Sequence, residues 1–253
     1  MPEGDSIRRD AVKLAPLVGK TVERVTTQGL ERDLAGRQIT AATPYGKHMT
    51  IALDDGTEIR VHRGIRGGFR VLARAEGEAW LARMSPGRAS LALVVADAIC
   101  LWRDARTVEI SPRRGAQRGL AVAALGPDIL GDDFDGRLLA SRARLHPTRR
   151  ICDVLLDQRV AAGIGNIYKN ETLFLCGVNP RRPVAALSDD QLEALFAEAR
   201  ALMKVGARGD YHVYGRSHQP CRRCSTMLQV ASLGDPPRWT WMCPLCQAPG
   251  VSK

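Results

Sequence analysis

PCRRCSTMLQVASLGDPPRWTWMCPLCQ, residues 220–247, is the stretch on which the fold turns. Cys221 and Cys224 form one CxxC pair, Cys243 and Cys246 a second, and the eighteen residues 225–242 lie between them. Four thiolates offered on two such knuckles suit a tetrahedral Zn²⁺. A pair of disulfides is disfavoured in a reducing compartment, and iron–sulfur clusters use other spacings. The intervening segment is apolar and aromatic around Gly234-Asp235-Pro236-Pro237, which predicts a β-hairpin. So small a unit cannot bury a core of its own, so the metal should hold it folded. Four cysteines fill the coordination shell and leave no position for water or substrate, which makes the expected zinc structural. Cys100, Cys152 and Cys176 sit in apolar stretches and read as core residues.

Upstream of the knuckles the chain reads as helical. RRICDVLLDQRVAA (149–162), NIYKNETLFLCG (166–177) and SDDQLEALFAEARALM (188–203) each carry apolar residues at helical spacing. Ser188 and Gln191 form a capping box at the start of the third. Between the first two lies Gly163-Ile164-Gly165, followed by Asn166. Two glycines there can expose backbone amides beside a helix N-terminus, which is an anion-binding arrangement; an ordinary helical hairpin would use the same residues as caps. LGPDILGDDFDG (125–136) is dense in turn residues and reads as a linker.

Before that linker the pattern is β. TVERVTT (21–27), KHMTIAL (47–53), TEIRVHR (57–63), GFRVL (68–72), SLALVVA (90–96), AICLWR (98–103) and TVEIS (107–111) are short and β-branched or apolar. Asp54-Asp55-Gly56 predicts a tight hairpin. Strands of this length and regularity imply a sandwich or barrel. The chain opens MPEGDSIRR, and SIRRDAVKLAPLVG (6–19) reads as a helix with Asp5 or Ser6 as N-cap and Gly19 at its end. Pro2 and Glu3 therefore sit against a packed helix, where a terminus would ordinarily fray.

The 253 residues leave room for two domains, and a hydrophobic fraction of 45% fits a globular chain. With 37 Lys and Arg against 27 Asp and Glu, the net charge of +10 points to a polyanionic partner. The longest apolar run, LALVVADAICLW, holds Asp97 and is too short to span a bilayer, and the N-terminus is too polar for a signal peptide. The expected location is cytoplasmic.

Together these parts resemble the formamidopyrimidine-DNA glycosylase / endonuclease VIII family of base-excision repair enzymes. The resemblance runs the whole length through MPEG at the N-terminus, YGKH at 45–48, LGPD at 125–128, LLDQ…GIGNIY…E at 155–171, VYGR at 213–216 and the CxxC…CxxC finger. It implies an α+β fold: an N-terminal β-sandwich with a helix (1–124), the linker (125–136), a helix–two-turn–helix domain (137–213) and a zinc-finger hairpin (214–253). It implies one structural zinc on Cys221, Cys224, Cys243 and Cys246, and a monomer acting on damaged double-stranded DNA in the bacterial nucleoid.

The resemblance also assigns roles. Pro2, freed by removal of Met1, is the nucleophile. An α-amino group titrates near 8, so a useful fraction is neutral at physiological pH, unlike a lysine. Glu3 is the proton donor, Lys47 contacts the phosphate beside the lesion, and Arg238 at the hairpin tip clamps phosphates. Asn166 and Gly165 meet the DNA backbone, Ile65 wedges into the gap left by the extruded base, and Arg106, kept from the family's motif, binds DNA as well. Glu171 matches too, and reads as structural. Two departures stand out. Gly64 falls where relatives of the endonuclease VIII type carry a larger polar side chain, and the family's DPRRFG becomes Asp104-Ala105-Arg106-Thr107-Val108-Glu109, with Val108 replacing the aromatic wedge. MPEGDS in place of MPEGPE, with a short 206–216 segment before the finger, favours the endonuclease VIII branch and oxidised pyrimidines. The alternatives are an oxidised-purine glycosylase and a zinc-finger damage-binding protein without catalysis.

Overall fold

A computed structural model describes residues 2–111, 124–206 and 209–248. The chain divides into two compact units, Met1–Ala123 and Ala124–Lys253.

The first unit is a β-sandwich. One sheet orders its strands β2-β1-β7-β8-β6, with β1 Val22–Thr27, β2 Leu30–Arg32, β6 Gly68–Ala73, β7 Ala89–Val95 and β8 Ala98–Arg103. The other is β3-β4-β5-β9, with β3 Ile39–Tyr45, β4 His48–Leu53, β5 Glu58–His62 and β9 Thr107–Ser111. Val25, Leu91, Leu93 and Trp102 from the first sheet meet Met49, Ile51, Ile59 and Val61 from the second in one buried cluster. Ile7 and Leu14 of α1 (Gly4–Leu14) join that cluster, so α1 is packed into the domain. The outer face of the five-stranded sheet is covered by α2 (Arg74–Arg83), whose Trp80 and Leu81 pack on Leu72, Ile99 and Leu101. Covered on both faces, β7 buries all seven of its residues, which is why it reads as an unbroken apolar run. The Asp54–Gly56 turn joins β4 and β5 as expected, with the Asp55 carboxylate accepting from the Thr57 amide.

Several boundaries differ from the sequence expectation. The N-cap of α1 is Glu3 rather than Asp5 or Ser6, and Asp5 lies buried inside the first turn, where Arg9 donates to it at 2.7 Å. β2, β3 and α2 were not expected. The stretch 149–162 forms only α4 (Ile151–Val154), because the Asp157 and Gln158 side chains hold the following backbone in turns.

The second unit packs α3 (Gly136–Arg144), α5 (Asn166–Leu175) and α6 (Asp189–Val205) around Leu139, Tyr168, Leu173, Leu195 and Phe196. Ser188 and Gln191 form the expected capping box on α6. Residues 125–136 are part of this unit. Ile129 is buried in its core, and Arg200 donates to the Ile129 and Gly131 carbonyls. The chain closes with the hairpin β10 (Gln229–Leu233) and β11 (Arg238–Met242), which turns at Gly234–Pro237.

Candidate active site

The N-terminus is held by backbone and burial. Glu3 is 1% exposed, and its carbonyl accepts from Ser6 N at 2.9 Å and Ile7 N at 3.3 Å, closing the first turn of α1. Pro2 precedes Glu3, half-buried, in extended chain. Met1 lies outside the described residues.

Lys47 sits in a two-residue turn between β3 and β4, where Tyr45 pairs with His48 and Gly46 takes φ +54. That left-handed value at the first central position is what a glycine provides. Beside Lys47, the His48 and His62 rings lie 4.8 Å apart on neighbouring strands. Burial, then the fields of Arg60 and Lys47, pushes His48 down to about 4. Burial, then His48, Arg106 and Lys47, pushes His62 to about 4. Both imidazoles are therefore neutral at physiological pH, and the cations of this corner are Lys47, Arg106 and Arg60, the last paired with Glu109 at 3.0 Å. Sequence reading missed the pair, since neither histidine has a distinguishing spacing.

The loop after β5 carries Ile65, an apolar side chain 63% exposed. The loop is braced at its base. Arg63 donates to Asp10 on α1 at 2.5 Å and twice to the Gly67 carbonyl. Gly64 has φ +69, and a Cβ there would lie 2.8 Å from the Arg106 Cβ. That contact bears on the first departure from the family pattern: the Arg106 Cβ, fixed in place by the Arg106 amide donating to the His62 carbonyl at 2.9 Å, occupies the space a side chain at 64 would need. The second departure resolves differently. Val108 lies in β9 opposite Val61, packed against the sandwich core, so it is no wedge. The Arg106 side chain itself is exposed.

In the second unit the residues following Gly163 are held by one glutamine. Gln158 accepts from the Gly163 amide at 3.0 Å and donates to the Leu156 and Ile164 carbonyls. The Gly163 amide is thus spent internally. Gly165 is the N-cap of α5 and Asn166 its first residue. The Asn166 carboxamide is engaged at both ends: Nδ2 donates to the Trp239 carbonyl at 3.0 Å, and Oδ1 accepts from Lys169 Nζ at 2.8 Å. Lys169, 1% exposed, also donates to Thr240 Oγ1 at 2.8 Å. Asn170 accepts from the Trp241 amide and donates to the Asn166 carbonyl. Asn166, Lys169 and Asn170 thus lock the N-terminus of α5 to strand β11. Lys169 was not anticipated, because a lone lysine in a helix normally reads as solvated.

β11 begins at Arg238, which is exposed and makes no ion pair among the described residues; Trp239 beside it is 60% exposed. Glu171 accepts three backbone amides, from His212 at 2.7 Å, Val213 at 2.9 Å and Tyr214 at 2.8 Å. Aromatic contacts continue the anchoring, Tyr211 on Tyr214 at 5.3 Å and Tyr214 on Trp241 at 4.7 Å.

Cys221, Cys224, Cys243 and Cys246 bring their sulfurs within 4.8 Å of one another. Separations of 3.4 and 3.9 Å are far too long for disulfides and match the edges of a tetrahedral thiolate site. The Cys221 and Cys243 side chains are buried with Phe174, Val213 and Leu228, the small core the hairpin does possess. Burial pushes the thiols of Cys100 and Cys152 up to about 12, as befits inert core cysteines.

A β-sandwich with a packed N-terminal helix, followed by a helical unit ending in a four-cysteine hairpin, is the architecture of a class of DNA-repair glycosylases. The formamidopyrimidine-DNA glycosylase N-terminal domain matches residues 1–109, and the formamidopyrimidine-DNA glycosylase H2TH domain matches 125–214. A probable endonuclease 8 2 of Streptomyces coelicolor is 36% identical over 98% of this chain and 94% of its own length. The DNA-(apurinic or apyrimidinic site) lyase Nei2 of Mycolicibacterium smegmatis is 34% identical, covering 98% and 99%. The MutM (Fpg) protein of Thermus thermophilus superposes with a TM-score of 0.80 at 27% identity, covering 99% and 100%. Lactococcus lactis formamidopyrimidine-DNA glycosylase, solved on DNA containing an abasic site, shares the fold with a TM-score of 0.82 at 23% identity over 98% and 100%. The chain belongs to the formamidopyrimidine-DNA glycosylase / endonuclease VIII family of DNA repair enzymes. Among the described residues no helix is long and apolar enough to cross a membrane.

Proposed function

We propose that this protein is a bifunctional DNA glycosylase and AP lyase that removes oxidised pyrimidines and cuts the strand through a Schiff base on Pro2. The observation that carries the reading is the fixed terminus: Pro2 leads directly into a Glu3 that is 1% exposed and caps α1. A protein that only bound DNA would gain nothing from that arrangement.

The chemistry follows from the groups present. The neutral secondary amine of Pro2 attacks C1′ of the deoxyribose and gives up its proton to solvent. The glycosidic bond breaks with its electron pair leaving on the base, which is protonated. Glu3 delivers a proton to the ring oxygen, so the C1′–O bond opens and an iminium forms. The iminium draws electrons from C2′, whose proton is lost, and the 3′-phosphate leaves. A second elimination expels the 5′-phosphate. Lys47 and Arg238 each offer a cation to a phosphate, and Arg238 can do so with two parallel N–H bonds. Ile65 is the wedge for the space left by the extruded base. The exposed N-terminal end of β11, not the Asn166 side chain, is the part of the α5–β11 assembly that offers charge to DNA; Asn166 and Lys169 hold it in place. A Zn²⁺ on the four cysteines would hold the hairpin folded and supply no step of the reaction.

The pyrimidine preference rests on the 206–216 segment. It is short, and its described part is tied to Glu171 and stacked on Trp241, which leaves little chain to fold over a purine. Residues 207–208 lie outside the described residues. Matched duplexes bearing one oxidised pyrimidine, 8-oxoguanine or an abasic site test this reading. Cleavage at the pyrimidine and abasic sites that exceeds cleavage at 8-oxoguanine at least ten-fold is expected. A preference for 8-oxoguanine would assign the protein to the purine branch instead.

A further inference from the structure

The outer face of the five-stranded sheet carries a groove of about 440 Å³ that has no role in the chemistry above. It opens where α2 ends and is lined by Trp80, Arg83, Met84, Ser85, Arg88 and Arg103. Its construction follows from strand alternation. Phe69 and Val71 of β6 face the sandwich core, so Arg70 and Leu72 face outward, and Arg103 lies on the same outer face of neighbouring β8. Trp80 descends from α2 onto the apolar part of that face. The Arg70 guanidinium lies 4.8 Å from the indole centroid and the Arg103 guanidinium 5.6 Å. Stacked on the ring, these planar cations keep their N–H edges available for an acceptor.

Charge in the groove is only partly compensated. Of the three arginines that line it, only Arg88 has a carboxylate partner, Asp104 at 2.9 Å; Arg83, Arg103 and the Arg70 set over Trp80 make no ion pair among the described residues. The groove is also continuous with the loops assigned to DNA. Asp104, gripped by Arg88, donates its amide to the Arg88 carbonyl at 3.0 Å, and two residues on Arg106 donates to the His62 carbonyl beside the Ile65 loop. Arg66 of that loop lies near enough for its charge to act on Asp104. A basic track therefore leads from Ile65 and Arg106 to Trp80.

We propose that this groove binds the phosphodiester backbone of DNA flanking the lesion, and so extends the footprint beyond the Ile65–Arg106 loops. The proposal rests on the DNA-repair reading of the site. Nucleic acid is favoured over an acidic protein segment because the track starts at the loops that meet the damaged strand, and because fork-shaped donors suit phosphate oxygens.

The test uses the full-length protein and two duplexes carrying the same stable abasic-site analogue. One is roughly 10 base pairs long, about one helical turn, and the other roughly 30. For the wild type, the slope of log K against log salt should be steeper on the long duplex by roughly 2, at about 0.9 per phosphate contact. In Arg70→Ala/Arg83→Ala, two exposed positions, that difference should vanish and long-duplex affinity should fall about ten-fold, while short-duplex affinity stays within about two-fold. Long DNA should also quench a component of the tryptophan fluorescence that is missing in Trp80→Phe. Equal slopes for both duplexes in the wild type would overturn the groove proposal and leave the repair reading intact. So would an acidic peptide that competes at the groove without affecting long DNA. Failure of the wild type to bind either duplex would instead strike at the repair reading itself.

Discussion

Replacing Glu171 by Gln tests whether the segment before the finger is held by one carboxylate. In the native protein Oε1 accepts from the Val213 and Tyr214 amides and Oε2 from the His212 amide. All three bonds are charge-assisted, worth about 1.5–3 kcal/mol each. The carboxamide can keep one oxygen on two of these amides, now as weaker neutral bonds. Its NH₂ group meets the third amide donor to donor. One full bond is lost and two are weakened, so local anchoring should fall by about 3 kcal/mol, or roughly a hundred-fold in the opening equilibrium. Hydrogen exchange reads this directly: protection of the 212–214 amides should drop about a hundred-fold, while amides in β7 stay unchanged. Excision of a damaged base should suffer with it, and cleavage of a preformed abasic site should suffer less. Protection at 212–214 within three-fold of the wild type would refute the reasoning, since the carboxylate would then not be what orders the segment.

Glu3→Gln should lower base excision by ~10² or more, with binding to lesion DNA within a few fold and abasic-site cleavage less affected, as measured by single-turnover kinetics. Arg238→Ala should reduce the salt slope on duplex DNA by roughly 0.9 and slow the last elimination at unchanged metal content, whereas Cys243→Ser should lose metal and hairpin together, seen by metal analysis and near-UV dichroism. His48 and His62 titrate near 4 in the folded protein against 6.5 in the unfolded chain, so the unfolded state binds more protons between those values. The stability they contribute is complete above about pH 6.5 and drains as the pH falls toward 4; denaturation midpoints across that range should flatten in His48→Gln/His62→Gln.

How much of this was legible in the sequence depended on whether a single local cause fixed the outcome. The β4–β5 hairpin follows from Asp54-Asp55-Gly56, and the α6 cap from Ser188 and Gln191, because turn and cap chemistry act over three or four residues. The cysteine cluster was legible because its spacing allows few geometries. α2 was not, since RAEGEAWLAR has no apolar stripe and depends on Gly77, where a Cβ would lie 2.7 Å from Ile99. β3 was hidden by small residues and Pro44 in ITAATPY. The expected long helix at 149–162 failed because apolar residues buried by tertiary packing imitate helical spacing. In the proposed site, motif order is what nominates Pro2, Glu3, Lys47 and Arg238. The residues that hold such groups could not. Arg63 reaches Asp10, and Lys169 reaches Asn166 and Thr240, across sequence distances no periodicity encodes.

The central claim is that Pro2 forms the covalent bond. Borohydride reduction in the presence of abasic-site DNA measures it. A stable protein–DNA adduct whose linkage maps to the N-terminal proline by peptide mass is expected, with no adduct when an extra residue is left ahead of Pro2. An adduct of undiminished yield with the N-terminus blocked would contradict it, and would place the nucleophile on another amine.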